Sequence, residues 1–189
     1  MNQQTRDFIR DNADKDIRLL ALSAKRLPDV DMPFALDQIV GRQTAGKKLP
    51  SWAEREGIVY PPHLSMEQCS SEQTARYKMN LSSPNPHPSS KPSHPSFLID
   101  LTGGFGVDFS FMSRGFERAV YVERQENLCD IARHNFALLG MDNAEVVCDD
   151  GVDYLKSVDH VSVIYLDPAR RNEHGGKTYA ISDCTPDVI

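Results

Sequence analysis

Four short runs rich in β-branched and aromatic residues constrain this chain most: FLIDL (97–101), AVYVE (119–123), AEVVC (144–148) and VSVIYL (161–166). Stretches with helical spacing separate them, at Asp108–Arg114, Gln125–Leu139 and Gly151–Ser157. Strands alternating with helices predict βαβ units, and so an α/β fold with a parallel sheet covered by helices on both faces. Right-handed crossovers in such a fold bring ligands to the carboxyl ends of the strands.

The residues before the first run have a different character. Positions 4–26 read as helix, with apolar residues at Phe8, Ile9, Ile17, Leu19, Leu20, Leu22 and Ala24. Asn12 to Asp14 favour caps and divide it in two. Further helices are expected over Pro33–Ala45, with the proline in the first turn, and near Pro50–Glu56. Ser70 followed by Gln73 fits a capping box and starts a helix that runs to about Met79. Residues 82–96 hold five prolines and six serines, a composition that suits a linker and not a core. The division expected is a helical N-terminal module over 1–66 and an α/β portion over 67–189.

Each strand end carries its own set of polar residues. The first runs into Asp100, Leu101, Thr102, Gly103, Gly104, Phe105, Gly106, Val107 and Asp108. Three glycines in four positions allow a sharp turn and close approach of a ligand to the backbone. The third glycine of a dinucleotide-binding GxGxxG would fall at Phe109, where a ring spoils close helix–strand packing. Asp100 would repel a pyrophosphate but attract the ammonium of a methionine moiety, which favours S-adenosylmethionine as cofactor. Glu123 ends the second strand and could accept bonds from ribose hydroxyls, or simply pair with Arg124. Of Asp149 and Asp150, one is expected to accept the adenine amino group and the other to cap the next helix. Asp150 is the favoured adenine partner, with Gly151 leaving room for the ring. The fourth strand ends at Asp167 and Pro168, a stiffened carboxylate suited to orienting a nucleophilic amino group. Arg170 and Arg171 follow, to contact a nucleic-acid phosphate or to pair with surface acids.

Composition narrows the partners. A net charge of −6 argues against a generic phosphate-coating surface, although residues 1–60 hold ten Lys/Arg against nine Asp/Glu. The four cysteines are far apart, so reduced, mostly buried thiols are expected, and neither they nor the histidines have metal spacing. No run of about eighteen apolar residues exists and the N-terminus lacks an apolar signal core, which makes the cytoplasm the expected compartment. Gly176-Lys177-Thr178 matches only the tail of a P-loop, because Arg171 stands where its first glycine belongs.

The strings LSMEQCSSEQTARYK, DLTGGFGVDFSF, YVERQ, CDDG and LDPARRNEHGGKTYAISDC together resemble bacterial proteins classed as RNA methyltransferases with a C-terminal THUMP-like domain, distant relatives of the guanine-N2 and cap methyltransferases. The resemblance is dense over roughly residues 60–189. It implies a Rossmann-like class I methyltransferase sheet, an RNA base as substrate, and S-adenosylmethionine held by Asp100, Thr102, Gly103, Gly104, Gly106, Glu123, Asp150 and Gly151. Asp167 and Pro168 would form the catalytic strand end. Relatives acting on exocyclic amino groups carry Pro and an aromatic ring where Ala169 and Arg170 stand here. Such sheets have seven strands and only four are readable, so the chain is expected to be a fragment whose fourth strand leaves an edge open to self-association. Two other classes stay open: a dinucleotide-dependent oxidoreductase, and a binding module without catalysis.

Overall fold

The computed structural model describes residues 1–23, 27–82 and 95–168. Helix α1 (Gln3–Asp11) begins at Asn2, whose side chain accepts from the Thr5 N–H. It stops where the Asn12 amide donates to the Phe8 carbonyl, and α2 (Ile17–Ser23) resumes five residues later, so the expected break is present. Helix α3 (Met32–Lys48) has Pro33 in its first turn and Asp31 accepting from the Phe34 N–H. Two lysines, Lys47 and Lys48, close it where the helix dipole favours cations. Helix α4 (Pro50–Ala53) is shorter than expected, and α5 (His63–Gln68) was not anticipated.

Helix α6 (Glu72–Ser82) corrects the expected cap by one residue. Ser71, not Ser70, accepts from the Thr74 N–H. The Ser70 hydroxyl is engaged elsewhere, donating to Asp108 at 2.9 Å.

The sheet comprises β1 (Phe97–Asp100), β2 (Arg118–Glu123), β3 (Ala144–Cys148) and β4 (Val163–Tyr165). Its order is β3-β2-β1-β4 and every pairing is parallel. Helices α7 (Val107–Met112), α8 (Glu126–Leu138) and α9 (Gly151–Leu155) make the crossovers, α7 running on through a 3-10 turn to Gly115. The fold is thus the expected Rossmann-like α/β arrangement. Alternation along the strands divides the core. Leu98, Ala119 and Tyr121 pack with Phe109, Met112, Cys129, Ala132 and Phe136 of α7 and α8. Phe97, Ile99, Val120 and Val122 point the other way, toward Tyr154 and Leu155 of α9. The chain leaves β1 on one side for β2 and returns on the other as β4, so the direction of winding reverses between β1 and β4. A crevice opens at the carboxyl ends of those strands.

The N-terminal helices share a core with this layer. Trp52, Tyr60, Met66 and Ala75 pack with Phe105, Val107 and Phe111. Asn135 of α8, fully buried, exchanges both amide bonds with the Val59 backbone at 2.9 Å. His134 also meets the Gly57 carbonyl at 2.8 Å. Among the described residues no helix is long and apolar enough to cross a membrane. Cys129 is buried, but Cys69 is only half-buried and Cys148 exposed, so the thiols are less enclosed than expected; Cys184 lies outside the described residues.

Candidate functional site at the strand ends

The glycine turn lies directly above the crevice, and its three glycines do different work. A Cβ on Gly103 would stand 2.2 Å from the Tyr121 ring. One on Gly106, which has φ +81°, would meet the Phe136 ring at 2.7 Å. Those two are required by packing. A Cβ on Gly104, which has φ +55°, would meet nothing among the described residues closer than 3.8 Å, so on that side the turn is open to a ligand. The Tyr121 hydroxyl donates to the Gly104 carbonyl and fixes the turn from beneath.

Phe109 is fully buried between Tyr121 and Phe136, with centroids 5.7 and 5.2 Å away. A ring therefore fills the helix–strand contact that a dinucleotide fingerprint reserves for glycine.

Two buried carboxylates flank the turn. Asp100 is 1% exposed, and its Oδ1 accepts from the Thr102 N–H at 2.9 Å. Burial pushes its pKa up to about 7, and Asp108 and Asp167 nearby add to the shift, against the bonds from Thr102. Glu123 accepts from the Gly104 N–H through Oε2 and from the Gln125 N–H through Oε1, each at 2.9 Å. It is buried and bonded to the turn, and no contact with Arg124 replaces that role. Thr102 ties the ends of β1 and β4 together, since its hydroxyl accepts from the Asp167 N–H at 2.8 Å.

Asp150 is the residue that caps α9, accepting from the Val152 and Asp153 N–H groups. The division of labour expected between Asp149 and Asp150 is therefore altered: the cap falls on the residue favoured for adenine. Among the described residues only its Oδ1 is used, and Oδ2 keeps its acceptor capacity. Gly151 is set against β1, where a Cβ would come within 2.4 Å of the Leu101 carbonyl oxygen. Asp167 is exposed at the end of β4 with Pro168 beside it. Arg170, Arg171 and the His174–Lys177 tract lie outside the described residues.

A cluster that sequence spacing does not disclose completes the site. The Lys78 ammonium of α6 donates to Asp108 Oδ2 at 2.8 Å, to the Tyr165 hydroxyl at 2.6 Å and to the Ser70 hydroxyl at 3.0 Å. Asp167 Oδ2 is 3.6 Å from it. Burial, then the charges of Asp108 and Asp167, push the Tyr165 hydroxyl upward, so it stays protonated at neutral pH. These residues are separated by 30 and 87 positions in the chain, and only the string EQCSSEQTARYK marked the segment.

Residues 90–179 match the family model described as Conserved hypothetical protein 95. No curated protein matches the chain. Among solved structures it is similar to a "putative methyltransferase" from Porphyromonas gingivalis W83, with 30% identity and a TM-score of 0.72, over 97% of this chain and 43% of that one. A SAM-dependent methyltransferase from Agrobacterium tumefaciens is 18% identical over 61% of this chain and 37% of its own, with a TM-score of 0.43. The chain thus spans less than half the length of either protein.

Proposed function

We propose that the chain carries the S-adenosylmethionine site of a methyltransferase whose substrate is a base in RNA. The observation that carries the cofactor reading is the pair of buried carboxylates, Asp100 and Glu123, on either side of an open-backed glycine turn at the reversal point of the sheet. Buried carboxylates need cationic or hydrogen-bond-donating partners. A cofactor with an ammonium and two ribose hydroxyls supplies both, whereas a pyrophosphate supplies neither. Similarity to the Porphyromonas protein across 97% of this chain supports the same reading.

In this site Asp100 and Thr102 serve the methionine end, and Gly103, Gly104 and Gly106 give the backbone its approach. Glu123 bonds the ribose with lone pairs left after its two backbone bonds. Asp150 Oδ2 takes the adenine amino group while Oδ1 caps α9, and Gly151 keeps that helix start close to β1. The bound cofactor supplies a methyl group already activated on a sulfonium. Asp167, on a strand end stiffened by Pro168, orients the incoming nucleophile and accepts its proton; Arg170 and Arg171 contact the RNA phosphates.

The RNA reading rests on the resemblance of the LSMEQCSSEQTARYK and LDPARRN strings. Its test is transfer of labelled methyl groups from S-adenosylmethionine into total cellular RNA by the full-length protein, followed by nucleoside analysis. Label in one modified nucleoside is the expected result. Label confined to protein or small molecules would overturn it.

A further inference from the structure

Asp100, Asp108 and Asp167 converge on one crevice from β1, α7 and the end of β4. Among the described residues, Asp108 and Asp167 both draw on the Lys78 ammonium, which arrives from outside the sheet, on α6. Asp108 is 14% exposed and Lys78 24%, so the closest pair is largely removed from water and its charges are weakly screened. Lys78 also lies over the Tyr165 ring, 5.2 Å from the centroid. One oxygen of Asp108, Oδ1, is buried with no hydrogen-bond partner among the described residues, so the carboxylate depends on what reaches Oδ2. Ser70, two residues before α6, reaches that same oxygen. Segment 70–82 therefore contributes both a hydroxyl and a cation to a site otherwise built from strand ends.

We propose that Lys78 is a positioning residue of the methyl-transfer site. It holds Asp108 and the Tyr165 hydroxyl in place beside Asp167 at the end of β4, and supplies the counter-charge that keeps the crevice from over-binding a cationic cofactor. The inference rests on the cofactor reading above. A crevice with three carboxylates and no ammonium would stabilise the sulfonium ground state, and ground-state stabilisation does not speed transfer. With Lys78 in place the net field is smaller and Asp167 stays directed toward the incoming nucleophile.

S-adenosylmethionine and S-adenosylhomocysteine differ at sulfur by a methyl group and a positive charge, so the ratio of their dissociation constants reads that field. Calorimetry at one pH and ionic strength is to be run on wild type, Lys78→Met, Lys78→Gln and Lys78→Arg, with thermal unfolding to confirm that each is folded. Loss of the ammonium is expected to shift the ratio about tenfold in favour of S-adenosylmethionine. Lys78→Arg is expected to restore the wild-type ratio. Lys78→Gln keeps hydrogen-bonding capacity without charge and covers the case in which the Met variant does not fold. A ratio equal in all four proteins overturns the proposal, since a purely structural lysine changes both affinities together. Failure of the wild type to bind either compound overturns the cofactor reading itself, and is recognisable because no ratio then exists.

Discussion

Replacement of Asp100 by asparagine is expected to make the protein more stable at pH 8 and about a hundredfold poorer at binding S-adenosylhomocysteine. The stability half follows from burial. Folding raises the Asp100 pKa from an ordinary 3.8 to about 7. A raised carboxylate binds its proton more tightly in the native state than in the unfolded one. The stability linked to that proton is complete below about pH 4 and is lost as pH rises through 7. Between pH 5 and 8 the wild type should lose up to about 3 kcal/mol that Asp100→Asn does not lose. Asparagine keeps an oxygen to accept from the Thr102 N–H, so the turn keeps its anchor. The binding half follows from charge: a neutral amide cannot pair with the cofactor ammonium, and loss of one partner of a buried ionic bond costs about 3 kcal/mol. Thermal unfolding at pH 5 and 8, beside calorimetry at pH 8, measures both. A variant less stable at pH 8 than at pH 5, in the same degree as wild type, would contradict the first half. Unchanged affinity would contradict the second.

The second large effect belongs to Gly151→Ala. The new methyl group would stand 2.4 Å from the Leu101 carbonyl oxygen and 3.0 Å from the Leu101 Cβ. The nearest atom is strand backbone, held by the Leu101 N–H donating to Tyr165, so α9 must move instead. Overpacking of this kind costs about 1–3 kcal/mol. It also carries Asp150 away from the glycine turn, and S-adenosylhomocysteine affinity should fall at least about tenfold. Gly46→Ala is the control: it lies in α3 with nothing within 4 Å of the added atom, and should stabilise by about 0.5–1 kcal/mol. Equal behaviour of the two variants in chemical denaturation would show that the contact between α9 and β1 is not tight.

The strands were readable in the sequence because each is a short run rich in β-branched residues bounded by residues that break strands, although only β1 and β2 are buried and β3 and β4 are half-buried to exposed. AEVVC occupies β3 residue for residue, and α8 differs from its expected span by one residue at either end. Helix α5 was not, since HLSMEQ is short and Pro62 before it offers no side-chain cap. Two assignments failed to separate neighbours. The capping box pointed to Ser70 where Ser71 is the cap, and Asp149 and Asp150 were left open, because local chemistry does not choose between adjacent residues of one type. Tertiary contacts do: Asp108, 38 residues beyond Ser70, takes that hydroxyl and leaves the cap to Ser71. The strand-end carboxylates could be read because a parallel sheet must place them together. Lys78 could not, because its partners come from three elements whose adjacency only the folded chain reveals.

The most direct measurement is calorimetric titration of the wild-type chain with S-adenosylhomocysteine at pH 8 and pH 6, with NADH as the comparison ligand. One molecule should bind at pH 8. Binding should weaken about tenfold at pH 6, because Asp100 must then give up a proton before it can meet the ammonium. NADH should give no heat of binding. Binding of NADH in preference to S-adenosylhomocysteine, or an affinity indifferent to pH across that range, would contradict a cofactor site built on Asp100.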